Sequence, residues 1–417
     1  MNNKIALHAH NFGHKNIGDE AMAQNVFNKL KKHGYDVYTI TTYEPPLGQS
    51  KEFDRISLSG IVNNYNNIII KIFLVTVNRL KLKTFYAVYV KVILSLIMGL
   101  ARLHKLNINL SFVFPRLYKL FDAFKSADIY VRSGSGSLND IWFWSSLMPQ
   151  YAEARLAKLF NTKVYFTGQG IGPITGSYRG KIMKEFVSCV DLFTLRDKTE
   201  SESFLNSLGC RETAKYASLG DDALDLPTEV KSSFPLIDGD YIVCQFRSTD
   251  YQNKINEKCW KNIADEVDKI SSEYPHLKFC FISFSNGIVN DLDIAKKISS
   301  LCTTGVYIQE EILTPEQAKW IIGNAVIAIG QSYHFGVFAL SENVPFFGLY
   351  TNEYYKLKHT GLLEWYGMEE YVVSMNDNME FLPRLKSYLD NKDMIQEKMN
   401  EINVDKKNNI NRVFETL

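Results

Sequence analysis

Short apolar runs alternate with helical patterns of apolar and polar positions along most of the chain. The apolar run at 5–10 leads into a turn that contains glycine and asparagine, and then into a helical pattern at 19–33. Similar runs, each followed by a glycine-rich or polar turn, occupy 128–132, 162–167 and 192–195. A strand, a tight turn and a helix in this order are typical of doubly wound α/β layers, which bind ligands beyond the carboxyl ends of their strands.

A second series of apolar runs begins after the polar stretch at 227–239. Its members are again separated by helical patterns and lie at 241–246, 276–282, 306–308, 325–329 and 345–349. At roughly 100 to 200 residues per domain, a chain of 417 residues accommodates two domains. We therefore predict an α/β fold of two Rossmann-like domains facing a central cleft, with boundaries at 1–227 and 228–390 and a terminal helix at 391–417.

Composition and charge favour a folded protein and do not indicate nucleic-acid binding. Hydrophobic residues make up 46% of the chain and charged residues 22%, and the formal net charge is +1, so no global field attracts nucleic acid. The six cysteines form no C-x-x-C pair and no cluster with histidine, which predicts neither a metal site nor a redox site. The first residues lack the long apolar core of a signal peptide. We expect a cytoplasmic protein with reduced thiols.

The segment 55–121 differs from the rest of the chain because it holds ten Lys or Arg residues and no Asp or Glu. Within it, 84–101 is apolar except for Lys91. A lysine at the centre of a membrane-spanning helix costs about 2.5 to 3.5 kcal/mol, which disfavours a single crossing. Two alternatives remain open: a helical hairpin that lies on the anionic inner leaflet of a membrane, or core helices whose lysines reach water.

The first candidate site is the motif Asn-Ile-Gly-Asp at 16–19, which follows the first apolar run and opens a helix. Gly18 permits close approach of another group to the backbone, and the free N–H groups of a helix start can bind an anion or a sugar hydroxyl. Asp19 can either cap this helix or accept a proton.

Two glycine-rich motifs follow strands in the first half of the chain. Ser-Gly-Ser-Gly-Ser at 133–137, with Ser135 and Gly136 at its centre, suits a backbone nest for phosphate or carboxylate. Gly-Gln-Gly-Ile-Gly-Pro at 168–173, which includes Gly170, is not a dinucleotide fingerprint because a proline stands where the helix should begin. Both motifs are also consistent with tight turns between a strand and a loop.

Three further residues place charge or acid–base chemistry at strand ends. Arg196 offers a planar guanidinium to a carboxylate or phosphate, and a surface ion pair with Asp197 is the alternative. Arg247 follows the first strand of the second series. His334 ends the motif Gly-Gln-Ser-Tyr-His and begins a helix, whose dipole disfavours an imidazolium unless an anion binds there.

Two tryptophans, Trp142 and Trp144, lie just beyond the serine- and glycine-rich motif. Sugar rings stack on aromatic faces, so both are candidates for an acceptor-binding platform. Packing in the core is the alternative for either side chain.

Taken together and in this order, the motifs resemble the polysaccharide pyruvyl transferase family. The matching segments cover most of the chain and are Asn16-Ile-Gly-Asp19, Ser133-Gly-Ser-Gly-Ser137, Gly168-Gln-Gly-Ile-Gly-Pro173, Leu195-Arg-Asp197, Gly220-Asp221, Ile329-Gly-Gln-Ser-Tyr-His334, Phe338-Ala-Leu and Val344-Pro345. The resemblance implies a fold like the GT-B type of two-domain glycosyltransferase. It also implies transfer of a pyruvyl group from phosphoenolpyruvate to a sugar of a surface polysaccharide or its lipid-linked precursor, with formation of a ketal.

The resemblance also implies roles for the candidate residues. His334 would be the general acid on the donor side, in the C-terminal domain. Asp19 would be a second catalytic residue on the acceptor side, in the N-terminal domain, together with Asn16 and the two tryptophans. The expected contacts to the donor come from Arg196, Arg247, Ser332, Ser135, Gly136 and Gly170. Neither a metal nor a cofactor is required, because phosphoenolpyruvate enters as a substrate.

One position departs from the family. Members often have arginine two residues before the histidine, where this chain has Ser332, which can hydrogen-bond an anion but cannot neutralise it. Either another cation supplies that charge or the donor is different. A GT-B-like glycosyltransferase that uses a nucleotide sugar is therefore the first alternative, and a non-catalytic glycan-binding protein is the second. For the pyruvyl transferase, a lipid-linked acceptor would place 55–121 against the inner face of the membrane.

Overall fold

A computed structural model describes residues 4–11, 16–41, 57–62, 83–211, 215–228, 237–247, 255–285, 290–376 and 379–417. These residues form two compact units. The first unit comprises the described residues up to 11, those in 26–222 and those in 413–417, and the second comprises 16–25 and the described residues of 223–412.

The first unit is built on a parallel sheet with strand order β2-β1-β3-β5-β6-β7, and β4 pairs with β5. Its strands are β1 (Lys4–His10), β2 (Tyr35–Thr41), β3 (Ile129–Arg132), β4 (Ser135–Leu138), β5 (Lys163–Ile171), β6 (Leu192–Leu195) and β7 (Tyr216–Ser218). The helices that follow them are α1 (Ile17–Lys32), α2 (Leu58–Val62), α3 (Lys83–Lys105), α4 (Pro115–Ser126), α5 (Met148–Leu159), α6 (Ser177–Ser188) and α7 (Glu200–Ser207), with a π-helix at Phe143–Leu147.

The core of the first unit explains why β3 does not alternate between buried and exposed positions. All four residues of β3 are buried, as expected for a parallel sheet that is covered on both faces. The rings of Phe166, Phe186 and Phe193 contact one another at centroid distances of 5.0 to 6.0 Å. Each fully buried side chain of this size contributes about 1.5 to 3 kcal/mol to folding.

The second unit contains a parallel sheet in the order β10-β9-β8-β11-β12-β13. Its strands are β8 (Tyr241–Gln245), β9 (Lys278–Phe281), β10 (Val306–Ile308), β11 (Ile327–Gly330), β12 (Phe346–Tyr350) and β13 (Val372–Ser374). Its helices are α8 (Glu257–Glu273), α9 (Asp291–Leu301), α10 (Pro315–Gly323), α11 (Tyr333–Ser341), α12 (Glu353–Leu363), α13 (Leu382–Asp390) and α14 (Lys392–Glu415), with a 3-10 turn at Glu369–Tyr371.

Helix α11 is buried on every side, which fits its composition because a helix that is apolar all round must be covered. Phe335 and Phe338 pack edge-on against Phe284, with ring centroids 5.6 and 5.4 Å apart. Helix α14 docks on the end of α11 through Asn403, whose amide donates to the Leu340 carbonyl. The first turn of α11, which carries His334, is therefore held in place by packing.

The structure confirms the α/β prediction and places a strand in each of the nine predicted runs. Strands β2, β4, β7 and β13 were not predicted; β4 is serine- and glycine-rich, and β7 and β13 have three residues each. The terminal helix is confirmed as α14. Of the basic segment, 55–56 and 63–82 lie outside the described residues, and the predicted central cleft stays a prediction.

Candidate functional site

A buried carboxylate in the first unit, that of Asp222, connects the segment after β7 with the loop after β3 and with β5. One oxygen of Asp222 accepts from the Gly134 amide at 2.7 Å and from the Thr167 hydroxyl at 2.6 Å. Gly168 adjoins this carboxylate with a positive φ of 55°, and a Cβ there would lie 2.8 Å from Asp222 Cγ. Asp222 thus fixes the loop after β3 and the middle of β5 relative to the segment that follows β7.

Arg196 lies at the same edge of the sheet. Its side chain is buried, and its Nη1 lies 3.7 Å from Oδ2 of Asp221. Gly170 provides the space, because a Cβ there would come within 2.6 Å of Arg196 Nε. The expected alternative, an ion pair with Asp197, is not formed among the described contacts; Asp197 instead accepts from the Ser201 amide at the start of α7.

The serine- and glycine-rich motif does not form the expected backbone nest. Ser135 and Gly136 belong to β4, an extended strand that pairs with β5, whereas a nest requires alternating helical conformations. The Ser135 hydroxyl lies 2.7 Å from the Ser137 hydroxyl, and the Gly134 amide is already bonded to Asp222. The contact of Ser135 and Gly136 with the donor therefore stays a prediction, and a backbone nest does not support it.

The two tryptophans differ in their surroundings. Trp142 is partly exposed. The Trp144 ring is stacked on Tyr178 with centroids 6.5 Å apart, and the Lys91 ammonium lies 5.3 Å from its centroid. The predicted acceptor platform stays a prediction for both, and α3 supplies a neighbour for Trp144 that the sequence did not indicate.

The buried Asp222 should make the stability of the first unit depend on pH. Burial raises the pKa of the Asp222 carboxyl to about 7, although the bonds from Thr167 and Gly134 act in the opposite direction. Between about pH 4 and 7 the folded protein then binds more protons than the unfolded chain, so the free energy of unfolding falls as pH rises and levels off above that window. The loss is on the order of 3 to 4 kcal/mol.

Asp222→Asn tests this dependence, because an amide oxygen can accept both hydrogen bonds and does not ionise. Urea unfolding at pH 5 and pH 8 should show a decline for the wild type that the variant lacks. The exposed Asp265→Asn serves as the matched control and should keep the wild-type decline. An equal decline in Asp222→Asn would show that other groups cause it.

In the second unit, two glutamines lock the ends of β8 and β11 together. The Gln245 side-chain oxygen accepts from the Ser332 amide at 2.8 Å, and the Gln331 side-chain oxygen accepts from the Arg247 amide at 2.7 Å. Arg247 is therefore held next to the turn that leads into α11. The backbones of Arg247 and Ser332 thus lie at one edge of the sheet, with His334 two residues further along the chain, and their joint action stays a prediction.

Asp291, at the start of α9, also contacts this edge of the sheet. Its Oδ2 accepts from the Gln245 amide nitrogen and from the backbone amides of Phe284 and Ser285, all within 2.9 Å. Its Oδ1 lies 3.7 Å from Arg247 Nε. Burial raises the pKa of the Asp291 carboxyl, and the Arg247 guanidinium opposes that shift.

The first turn of α1 is part of this cluster. The Ile17 amide donates to the Phe284 carbonyl at 3.1 Å, and Asn16 forms an antiparallel bridge with Ser285. Residues 16–25 therefore group with the second unit, whereas the predicted boundary placed Asn16 and Asp19 in the N-terminal domain. The capping role considered for Asp19 falls to Asn16, whose side chain accepts from the Gly18 amide at 3.1 Å.

Gly18 allows the imidazole of His334 to lie directly against the backbone of α1. A Cβ on Gly18 would lie 2.1 Å from both Cγ and Nδ1 of His334, a distance that no side chain tolerates. The close approach predicted for Gly18 is thus made by the predicted catalytic histidine. Asp19 is the next residue along the same turn.

Sequence reasoning missed three residues that organise these edges: Gln245, Asp291 and Asp222. Gln245 is a polar residue at the end of an apolar strand, which is a usable signal. Asp291 and Asp222 resemble an ordinary helix-start acid and a loop acid, and only their burial distinguishes them. Within the described parts of the chain, no group of three or more His, Cys, Asp or Glu side chains could hold a metal ion.

The motifs of both units fall inside one family match. Residues 16–353 match the family described as polysaccharide pyruvyl transferase. The chain belongs to this family. It is accordingly a transferase, as predicted. A comparison with curated proteins found no match.

Solved structures similar to the chain show the GT-B-like fold that was predicted. The UDP-GlcNAc 2-epimerase from Neisseria meningitidis bound to UDP-GlcNAc is 12% identical, with a TM-score of 0.55 over 99% of this chain and 100% of that one. The S. aureus MnaA protein with UDP is also 12% identical, with a TM-score of 0.55 over 96% and 91%. A putative UDP-N-acetylglucosamine 2-epimerase from Listeria monocytogenes is 11% identical, with a TM-score of 0.51 over 96% and 91%.

Proposed function

We propose that this transferase moves a pyruvyl group from phosphoenolpyruvate to two hydroxyls of one sugar, in a surface polysaccharide or its lipid-linked precursor. The observation that carries the proposal is the family match over 16–353. That range includes the second-unit cluster around His334, which supplies an acid, a cation and helix N–H groups at one place.

The chemistry needs an acid and a site for a leaving phosphate. A proton passes from His334 to the methylene carbon of phosphoenolpyruvate, which becomes a methyl group and leaves an oxocarbenium-like centre on the neighbouring carbon. One sugar hydroxyl attacks that carbon, and the bond between the same carbon and the phosphate oxygen breaks. A second hydroxyl closes the ketal. Of the two hydroxyl protons, one restores His334 and the other leaves with inorganic phosphate.

Arg247 supplies the positive charge that Ser332 lacks. Its backbone amide donates to the side chain of Gln331, the residue that precedes Ser332. A guanidinium held by a buried carboxylate is fixed before the donor arrives, and preorganised charge of this kind stabilises a transition state without reorganisation. The amides of the first turn of α11 add hydrogen-bond donors for an anion.

Asp19 and Asn16 serve the acceptor in this proposal. Asn16 lies directly before α1 and Asp19 lies in its first turn, on either side of the glycine that His334 contacts. A carboxylate there can take the proton of the attacking hydroxyl and pass it to the leaving phosphate, and an amide side chain can orient the sugar. Donor and acceptor groups would thus be positioned by the same contact between α1 and α11.

Ser332 is also compatible with a second class of donor. A neutral residue at this position suits a nucleotide sugar, whose charge lies elsewhere, and the N. meningitidis and S. aureus proteins of similar fold were solved with UDP-GlcNAc and with UDP. A glycosyltransferase on this scaffold would release a nucleoside diphosphate instead of phosphate.

A direct turnover assay distinguishes the two candidate donors. The full chain is incubated with a glycan or lipid-linked acceptor and either phosphoenolpyruvate or UDP-GlcNAc, and free phosphate, UDP and product mass are measured. We expect phosphate release with phosphoenolpyruvate and a pyruvylated acceptor. UDP release with transfer of the sugar, and no reaction with phosphoenolpyruvate, would contradict the proposal. In the absence of acceptor, a donor present at 100 times its dissociation constant should stabilise the fold by about 2.7 kcal/mol, which identifies the donor independently of turnover.

A further inference from the structure

Helix α3 exposes an apolar stripe along its first half, from Phe85 to Leu96. Phe85, Val88, Val92 and Leu96 follow one another at helical spacing, and each is at least half exposed, with Phe85 at 61%. The opposite side of the helix, which includes Val90, Leu94, Ile97, Met98 and Ala101, is buried in the core of the first unit. Burial in the core therefore does not explain the apolar character of the four stripe residues.

The loop between α3 and α4 continues the exposed apolar surface. Phe112 is 82% exposed, and Leu106, Ile108, Val113 and Phe114 are exposed with it. The loop backbone is bonded in this position, because the Ile108 amide donates to Leu103 and the Tyr118 hydroxyl donates to the Ile108 carbonyl at 2.8 Å. A soluble surface rarely presents so many adjacent apolar side chains without a partner.

The charges within 83–121 have one sign, and the next residue, Asp122, lies 2.9 Å from His104 of α3. Residues 83–121 contain six Lys or Arg and no Asp or Glu. Five of the basic residues are exposed: Lys91, Arg102, Lys105, Arg116 and Lys119. An apolar face rimmed by cations is complementary to the interface of an anionic bilayer, where each basic residue near the surface adds about fivefold to binding.

We propose that the exposed side of α3 together with the loop 106–114, here called the α3 face, docks on the anionic leaflet of a membrane. The helix over Thr84–Lys105 is long and apolar enough to cross a bilayer, but its buried side packs in the first unit and cannot also face lipid. It therefore lies in the plane of the interface. A second copy of the chain fits the surface less well, because pairing would bring five exposed cations against five others.

The test measures binding of the full chain to vesicles by sedimentation. We expect binding to vesicles of phosphatidylcholine mixed with phosphatidylglycerol, and much weaker binding to phosphatidylcholine alone. Phe112→Asp should reduce binding at least tenfold, because a charge must then enter the interface. Ile312→Asp is the matched control, since Ile312 is 77% exposed but lies in the second unit, and it should bind as the wild type does.

The contribution of charge is tested separately. The triple variant Arg102→Gln, Arg116→Gln, Lys119→Gln should lose on the order of 100-fold in binding to anionic vesicles. The control triple Lys258→Gln, Lys386→Gln, Lys392→Gln removes the same charge from exposed positions in the second unit and should have little effect. Equal binding by all variants, or no preference for the anionic vesicles, would overturn the proposal.

A dimer that forms through the α3 face would also overturn it. In that case light scattering would give twice the chain mass, Phe112→Asp would give the monomer, and neither vesicle would bind the protein. The inference rests on the α3 face alone and not on the proposed transfer reaction. Phe112→Asp should accordingly leave turnover with a water-soluble acceptor unchanged.

Discussion

Replacement of His334 by glutamine is expected to lower turnover by about 10²- to 10⁴-fold, the usual contribution of a positioned general acid. Glutamine fills a similar volume and can donate a hydrogen bond, but it cannot deliver a proton to the methylene carbon of the donor. Binding of phosphoenolpyruvate should change much less than turnover, because Arg247 and the helix N–H groups remain in place. Turnover is measured by phosphate release and binding by thermal shift.

The matched control is His276→Gln, which changes an exposed histidine of the same unit. It should retain wild-type turnover and stability. If His334→Gln retained turnover within a few-fold while folding normally, the proton would come from another group and the assignment of His334 would be wrong.

The second large effect is expected for Gly18→Ala. The added Cβ would overlap the imidazole, whose nearest atoms lie 2.1 Å from its position, so either His334 or the first turn of α1 must move. A displacement of about 1 Å at a reacting group can cost on the order of 100-fold in rate. Alanine is otherwise the better helix former, by about 1 kcal/mol. Turnover should therefore fall much more than the stability of the helix would suggest.

Two controls show whether Gly18 acts through His334. Gly99→Ala changes another helical glycine, which has nothing within 4 Å of its added Cβ, and should leave turnover intact. The double variant Gly18→Ala, His334→Gln should be no slower than His334→Gln alone, because the position of the ring no longer matters once the acid is gone. Additive losses would mean that Gly18 contributes in some other way.

The fold could be predicted from the sequence because its signals are local. Strands such as β3, β8 and β11 are buried on both faces, so each appears as a mainly apolar run, and the turn that follows it carries glycine or polar residues. Arg247 stands directly after the run at 241–246 and His334 five residues after the run at 325–329, and parallel strands bring their carboxyl ends to one edge. Their proximity in the second unit therefore follows from the sequence pattern.

The connections within the site could not be predicted in the same way. Asp291 looks like any acid in the first turn of a helix, and its bonds to Gln245 and to the 284–285 backbone depend on burial. The first turn of α1 joins the second unit through hydrogen bonds to that same backbone, although its sequence neighbours belong to the first. Helix α3 is apolar on both sides, so its pattern could not tell which side is buried.

The central claim, that phosphoenolpyruvate is protonated and its pyruvyl carbon becomes a ketal, is tested most directly by running the reaction in D2O. The acceptor product is then examined by nuclear magnetic resonance at its new methyl group. The proposed reaction places a single solvent deuterium on that methyl, because the acid equilibrates with solvent before it protonates the donor. A methyl group without deuterium, or a product that carries a new sugar instead of a ketal, would contradict it.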